Sequence, residues 1–269
     1  MIKTIQKDFQ DDFEQFQKKL DTFWESNEQH VLPVKNGTKK DALFLGATHG
    51  DEQVGVKALE NLEDSNKFDW LLVNEAAYKE GKRFLEIDMN RAAPGSIDSD
   101  KYEEKRVAEI LRKFDSYNYI VDIHGTVANS GLFIIMTKLS FDDLLLALQF
   151  DIPNIVIWLP KEKKPTGPLV EFAQPGIEIE CGPKDSEAVT TELTEKLKTF
   201  LNNYNEPITK DNLKGKSIFW VDGKIEKSPV PLKDFELTKI DKEEFYPLLV
   251  GEYGISCYKM RKFELGIRN

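Results

Sequence analysis

The 269-residue chain is poor in the residues that most often anchor an unusual architecture: it has two cysteines and three histidines. Cys181 and Cys257 are too few and too far apart to form a disulfide framework or a metal knuckle, which predicts a reduced, cytoplasmic setting. No apolar run approaches the roughly 18 residues that a membrane-spanning helix needs. The opening residues, Met1-Ile-Lys-Thr-Ile-Gln, carry charge and no apolar core of a secretory signal. Positive charge is also in deficit, with 37 Lys and Arg against 47 Asp and Glu and a formal net charge of -10. The acidic residues are dispersed and no basic stripe interrupts them, so neither a nucleic-acid surface nor a membrane is an expected partner. Internal repeats and low-complexity tracts are absent as well, and a chain of this length has room for one main domain with a smaller annex.

With histidine so scarce, the surroundings of each one are informative. Ala42 to Ala47 has the length and composition of a buried strand, and it runs directly into His49 and Glu52, with Gly46 and Gly50 available for a tight turn. His124 repeats that context at the end of Tyr119-Ile-Val-Asp-Ile-His-Gly-Thr126, whereas His30 does not. Two strands of one sheet that end in histidines bring both to the same edge, where α/β proteins bind their ligands. Two imidazoles and a carboxylate suit zinc, which in catalytic sites keeps three protein ligands and leaves a fourth position for water. On its own an HxxE pair reads more readily as a polar surface turn; paired with His124, the metal reading leads.

Apolar periodicity supplies the frame. Ile5, Phe9, Phe13, Phe16, Leu20 and Phe23 recur at helical spacing, predicting an amphipathic helix over 3–26 within an N-terminal extension of residues 1–35. A turn at Asn36-Gly37 precedes the first strand. Helices are predicted over 53–62, 104–114, 141–148 and 186–201, and strands over 70–74, 119–123, 132–136, 155–159 and 177–180. This alternation predicts an α/β domain over 36–205, with a mixed, mostly parallel sheet flanked by helices. After Pro207 the pattern changes to short strands at Ser217 to Val221, Phe235 to Leu237 and Pro247 to Val250, broken by turns such as Asp222-Gly223, which predicts a smaller β-rich C-terminal domain over 206–269.

Two further stretches carry chemistry. Arg83-Phe-Leu-Glu-Ile-Asp-Met-Asn-Arg91 offers Asn90 and Arg91 as a grip for a carboxylate, and Arg83 as a donor to a developing oxyanion. Ordinary surface arginines are the competing reading. In Pro175-Gly-Ile-Glu-Ile-Glu-Cys-Gly-Pro183, strand alternation sends Glu178 and Glu180 to one face, and either is a candidate general base.

Taken in order, His49-Gly-Asp-Glu52, Asp88-Met-Asn-Arg91, Asp122-Ile-His-Gly-Thr126 and Glu180-Cys-Gly-Pro183 resemble the motifs of the aspartoacylase and succinylglutamate desuccinylase family, relatives of the zinc carboxypeptidases. The resemblance covers about residues 40–185 and extends more loosely over the C-terminal segment. It implies a zinc carboxypeptidase-like fold in which His49, Glu52 and His124 bind zinc. Glu180 then activates the metal-bound water and Glu178 becomes structural. Arg83 polarises the scissile carbonyl, and Asn90 and Arg91 hold the α-carboxylate of a small N-acyl amino acid. Of the two tyrosines in Gly251-Glu-Tyr-Gly-Ile-Ser-Cys-Tyr258, Tyr258 is assigned to the substrate. The arginine with which aspartoacylase grips its substrate's side-chain carboxylate is replaced by Val170; Lys161, Lys163 and Lys164 lie just upstream as substitutes. The expected activity is zinc-dependent hydrolysis of an N-acyl amino acid. A carboxypeptidase-like peptidase, and a metal-binding interaction protein without turnover, are the alternatives.

Overall fold

A computed structural model of the chain describes residues 9–26, 28–35, 40–62, 67–160 and 166–263. The Asn36-Gly37 turn, the first residues of the expected N-terminal helix and Lys161, Lys163 and Lys164 lie outside these segments. Ten strands among these residues form one sheet: β1 Lys40–Gly46, β2 Phe68–Leu72, β3 Tyr117–Gly125, β4 Gly131–Met136, β5 Asn154–Ile157, β6 Gly176–Gly182, β7 Ser217–Ile225, β8 Thr238–Ile240, β9 Glu243–Leu248 and β10 Cys257–Lys262. Their order across the sheet is β2-β1-β3-β6-β4-β5-β7-β10-β9-β8. The first four in that order are mutually parallel, β4 runs against β6, and β5 and β7 continue parallel to β4. Beyond β7 the pairing becomes antiparallel through β10, β9 and β8. This is the mixed, mostly parallel sheet that the α/β alternation predicts, and the sheet passes without a break from β5 into the C-terminal strands.

β3 is buried along its entire length, as a central strand covered on both faces must be. On one face Phe44, Tyr119, Val121, Ile123, Ile177 and Ile179 join the large core with helices α1 Gln10–Glu25, α2 Val54–Glu60, α5 Phe141–Leu148 and α6 Glu187–Asn203. The N-terminal helix is part of that core: Phe13, Phe16, Leu20 and Phe23 are all at most 4% exposed. Phe13 and Phe16 pack on Phe263, and Phe23 packs on Phe141. His30 completes this packing with its ring against Phe23 and Phe141. The opposite face carries two separate apolar clusters, one with Leu43, Leu45, Met89 and Ile120 beneath α4 Tyr102–Leu111, the other with Phe133, Val156, Phe219 and Leu248 under the C-terminal strands.

Several elements depart from the sequence-based expectation, each for a local reason. β2 stops at Leu72 because Asn74 caps helix α3 Glu75–Glu80, its side chain accepting from Ala77 N. Asp222 and Gly223 form no turn; β7 runs through them, and Asp222 takes the Arg261 guanidinium of neighbouring β10 at 2.7 Å. Phe235 lies outside any strand, with left-handed backbone (φ 63) and its ring wedged against Phe133 and Phe219. Its apolar character marks a plug between elements.

Candidate active site

Registration of the parallel strands builds the site. Gly46 of β1 lies opposite Ile123 of β3, and His124 lies opposite Glu180 of β6, with Asp122 opposite Glu178 two residues earlier. Strand alternation therefore puts Asp122, His124, Glu178 and Glu180 on one face, at the gap between its two apolar clusters. The chain leaves β1 through Ala47, whose φ of 55 is left-handed, so the turn attributed to Gly46 and Gly50 is made at an alanine instead. Gly50 is needed for a different reason: a Cβ there would meet Tyr78 N at 2.3 Å and Lys82 O at 2.6 Å. That close approach lets Gly50 N donate to Arg83 O at 3.0 Å, fixing Arg83 beside the histidine loop.

His49, Glu52 and His124 converge, each at most 3% exposed. His49 Nδ1 is 2.9 Å from Glu52 Oε1, His124 Nδ1 is 3.1 Å from Glu52 Oε2, and the two Nδ1 atoms face each other at 3.3 Å. Gly125 N donates to Glu52 Oε2 at 3.0 Å, anchoring that carboxylate. Candidate ligand atoms from all three residues lie within 4.8 Å of one another. Two ring nitrogens and a carboxylate aimed at one point, each ring backed by a carboxylate on its far side, form the donor set of a divalent cation. The backing carboxylates are Asp88, 3.0 Å from His49 Nε2, and Asp122, 3.2 Å from His124 Nε2. Asp122 in turn accepts from Thr48 Oγ1 at 2.7 Å. The residues fit the metal.

Electrostatics follow from this crowding. Burial opposes charge on His49, but Glu52 and Asp88 hold its pKa above the ordinary value; burial likewise opposes charge on His124, and Asp122, Glu52 and Glu178 raise it well above. Glu52 is pulled far below the carboxylate range by the two histidines despite its burial. Burial pushes Glu180 up to about 8 against the pull of His124, with Glu52 and Glu178 adding to the rise. Its Oε2 is sealed from solvent with no hydrogen-bond partner among the described residues. Glu178 has a partner: it accepts from Asn90 Nδ2 at 3.0 Å.

The remaining residues singled out from the sequence surround this centre. Arg83 donates from Nη1 to Glu52 Oε1 at 2.8 Å. Its Nη2 is 3.0 Å from His49 Nε2, but a nitrogen that donates to Asp88 cannot also accept from Arg83, so the bond to Glu52 is the firm one. Asn90 and Arg91 sit on a 3-10 turn, Met89–Arg91, capped by Asp88, whose Oδ1 accepts from Asn90 N at 2.9 Å. Arg91 donates to the Asn90 carbonyl and bears on Asp88, Glu171 and Glu178. Val170 is fully buried beside Leu169 and Ala173. Tyr258, on β10, packs its ring on Trp158. Tyr253 is the tyrosine that bears on Arg83, Glu52 and Glu180. It sits on the turn Glu252–Gly254 with φ 53. Glu252 fixes that turn over the site, because its Oε1 accepts from Thr126 Oγ1 and from the backbone N–H groups of Val127 and Ala128. Neither Glu252 nor Asp88 stands out from the sequence as a contact, although Asp88 falls inside one of the motifs.

The family model of the succinylglutamate desuccinylase/aspartoacylase catalytic domain matches residues 38–208. A probable aspartoacylase of Prochlorococcus marinus strain AS9601 is 28% identical over 195 residues, covering 64% of each chain. The N-acyl-aromatic-L-amino acid amidohydrolase (carboxylate-forming) of Xenopus laevis is 27% identical over 190 residues, covering 60% of this chain and 61% of its own. The chain thus spans about three fifths of the length of these curated relatives. Among solved structures, murine aminoacylase 3 superposes with a TM-score of 0.65 at 19% identity, covering 85% of this chain and 97% of the other. A succinylglutamate desuccinylase/aspartoacylase from Rhodobacter sphaeroides gives a TM-score of 0.64 at 16% identity, covering 86% and 88%.

Proposed function

Because the chain belongs to the succinylglutamate desuccinylase/aspartoacylase family, we propose that it is a zinc-dependent hydrolase that cleaves the amide bond of a small N-acyl amino acid. The observation that carries this reading is the convergence of His49, Glu52 and His124 on one point, with Glu180 on the strand beside His124. His49, Glu52 and His124 hold the zinc, which when bound supplies a Lewis acid for the scissile acyl group.

The protein's own side chains divide the rest of the work. Glu180 takes the proton of the attacking water and delivers it to the departing amine nitrogen, and its proton affinity is raised above that of a free carboxylate. Burial in a site crowded with carboxylates is the physical source of that tuning. Arg83 donates to the oxygen on which negative charge develops. Asn90 and Arg91 hold the substrate's α-carboxylate, with Glu178 fixing the Asn90 amide. The Glu252–Gly254 turn lies against the loop after β3, which favours a small substrate over a polypeptide and sets the peptidase alternative behind the deacylase. With base, oxyanion donor and carboxylate grip all beside the metal ligands, a binding protein without turnover is also the weaker reading.

The test is Glu180→Gln, assayed with a panel of N-acyl amino acids and by metal analysis. Loss of at least ~100-fold in kcat with zinc stoichiometry retained is expected. A wild-type protein that binds no zinc and cleaves no member of the panel would overturn the proposal, and an unchanged rate in the variant would remove Glu180 from its role.

A further inference from the structure

The segment that carries Arg83, Asn90 and Arg91 is held at its two ends by different means. At one end Gly50 N donates to Arg83 O at 3.0 Å. At the other, Asp88 caps the turn Met89–Arg91, and Met89 is fully buried in the cluster that includes Val107 and Ile110 of α4. Between them Phe84, Leu85 and Glu86 are exposed, and among the described residues no backbone–backbone hydrogen bond involves residues 84–87. Neither apolar burial nor a strand partner keeps this stretch in place, although it begins next to the arginine assigned to the oxyanion.

A buried carboxylate supplies the missing hold. Glu103, in the first turn of α4 and fully buried, accepts from Leu85 N at 2.6 Å through Oε1, and Glu86 N lies 3.4 Å from each of its oxygens. A carboxylate taken out of water needs partners, and the hydrogen bonds of this one among the described residues go to that segment. The arrangement is reciprocal. Glu86 Oε2 accepts from Tyr102 N at 3.0 Å, at a helix start where Lys101 provides no side-chain cap and the first N–H groups lack intrahelical acceptors. The helix itself is firmly seated: Val107 and Ile110 are fully buried, and Arg106 donates to Val73 O at 3.0 Å and to Leu72 O at 3.1 Å at the exit of β2. Glu103 is thus a fixed point on a packed element for a stretch without backbone partners of its own.

We infer that Glu103 is a positioning residue for the hydrolysis: by holding the Leu85 and Glu86 amides it fixes the backbone that follows Arg83, and with it the direction from which the Arg83 guanidinium meets the developing oxyanion. This rests on the deacylase reading above and adds to it a residue that acts only through the segment it anchors. In the resting state Glu52 also holds the Arg83 side chain, but a donor that must follow charge onto the acyl oxygen needs its backbone fixed as well. Asn90 and Arg91 have their own hold in Asp88 and Met89, so loss of Glu103 bears on the transition state and leaves the grip on the substrate's carboxylate in place.

The experiment compares the zinc-loaded full-length protein with two variants. Glu103→Gln keeps an oxygen for the Leu85 amide and loses the charge, whereas Glu103→Asp keeps the charge and falls short by one methylene. On an N-acyl amino acid that the wild-type protein cleaves, Glu103→Asp is expected to lower kcat by ~10-fold at unchanged KM and zinc stoichiometry, with Glu103→Gln retaining most of the rate. Amide exchange followed by NMR should show Leu85 exchanging about tenfold faster in Glu103→Asp than in Glu103→Gln. An undiminished kcat in Glu103→Asp, a fall in its zinc stoichiometry, or an equal loss of rate in Glu103→Gln overturns the inference. A cycle with Arg83→Ala separates positioning from general loosening: with Arg83 absent, Glu103→Asp should cost no further rate, and losses that multiply overturn the assignment. Should Glu103→Asp not fold, Glu86→Ala, which frees the exposed half of the reciprocal pair, is expected to lower kcat by about threefold, and no change there overturns the inference. If no N-acyl amino acid is cleaved, the deacylase reading falls, and the exchange arm still decides whether Glu103 holds the segment: Leu85 exchanging alike in wild type and both variants shows that it does not.

Discussion

Asp88 joins two parts of the site through one oxygen. Its Oδ1 lies 3.0 Å from His49 Nε2 and accepts from Asn90 N at 2.9 Å. The orientation of a candidate metal ligand and the start of the turn that presents Asn90 and Arg91 therefore depend on the same carboxylate. Burial opposes its charge, but the His49 hydrogen bond and the nearby arginines hold its pKa down at about 2. Asp88→Ala is expected to lower zinc affinity by ~10 to 100-fold, measured by competition with a chelator, and to raise KM in the metal-saturated enzyme. Unaltered zinc affinity would show that His49 is oriented without it. Asp143 illustrates the opposite shift. It is fully buried on α5, accepts from Gly176 N at 3.0 Å, and burial raises its pKa from 3.8 to about 6 despite Lys138. The folded state binds this proton more tightly than the unfolded chain, so its contribution to stability is greatest below about pH 3.8 and is lost as pH rises through 6. The loss is on the order of 3 kcal/mol at most. Asp143→Asn keeps an acceptor for Gly176 and should flatten the decline in urea midpoint between pH 4 and 7; an equally steep decline would place its origin elsewhere.

At the scale of elements, a turn from the C-terminal strands is tied to the loop after β3 by one glutamate. Three donors from Thr126, Val127 and Ala128 meet Glu252 Oε1, and such charge-assisted bonds are about twice as strong as neutral ones. Glu252→Ala should release the turn that carries Tyr253, raising KM by roughly tenfold while zinc content stays unchanged; Glu252→Gln, which keeps a carbonyl oxygen, should recover part of the loss. A fall confined to kcat would contradict a positioning role. The helix α1 behaves differently, because it is packed into the core on the face of the sheet opposite His124. Phe16 is 2% exposed and meets Phe263 edge-on. Phe16→Ala should destabilise the fold by about 3–5 kcal/mol in urea titration and leave the metal stoichiometry of the folded fraction intact. A stability change below about 1 kcal/mol would indicate a helix that docks loosely.

At the scale of the whole molecule, a ten-stranded sheet places three strand ends at one edge, and the same sheet continues into strands that return over the site. Among the described residues no helix is long and apolar enough to cross a membrane. Much of this frame was legible in the chain: strands at Leu132 to Met136 and a helix at Phe141 to Leu148 are found where apolar periodicity puts them, β4 one residue longer and α5 with the same ends. The turns were less legible. Asn74, read as the end of a strand, serves as a helix cap, and Asp222-Gly223, read as a turn, is held in β7, where Asp222 receives Arg261 from a strand 39 residues later. Local propensity gives way there to a partner that sequence order does not reveal.

The amino-acid order by itself determined most strands and helices of the main domain, and which side chains are candidates to bind a cation or move a proton, because period and residue chemistry are local properties. It also placed His49 and His124 at strand ends, and the parallel pairing of those strands through β1 and β3 turns two distant histidines into neighbours. Only the tertiary structure decided that Asp88 backs His49, that Glu178 holds Asn90 while Glu180 has no hydrogen-bond partner on one oxygen among the described residues, and that Tyr253 bears on Glu180, Arg83 and Glu52. Those facts depend on contacts such as Thr126 with Glu252, 126 residues apart. Nothing in the local sequence marks such a pair, because the hydrogen bond exists only once the sheet has brought its two ends together.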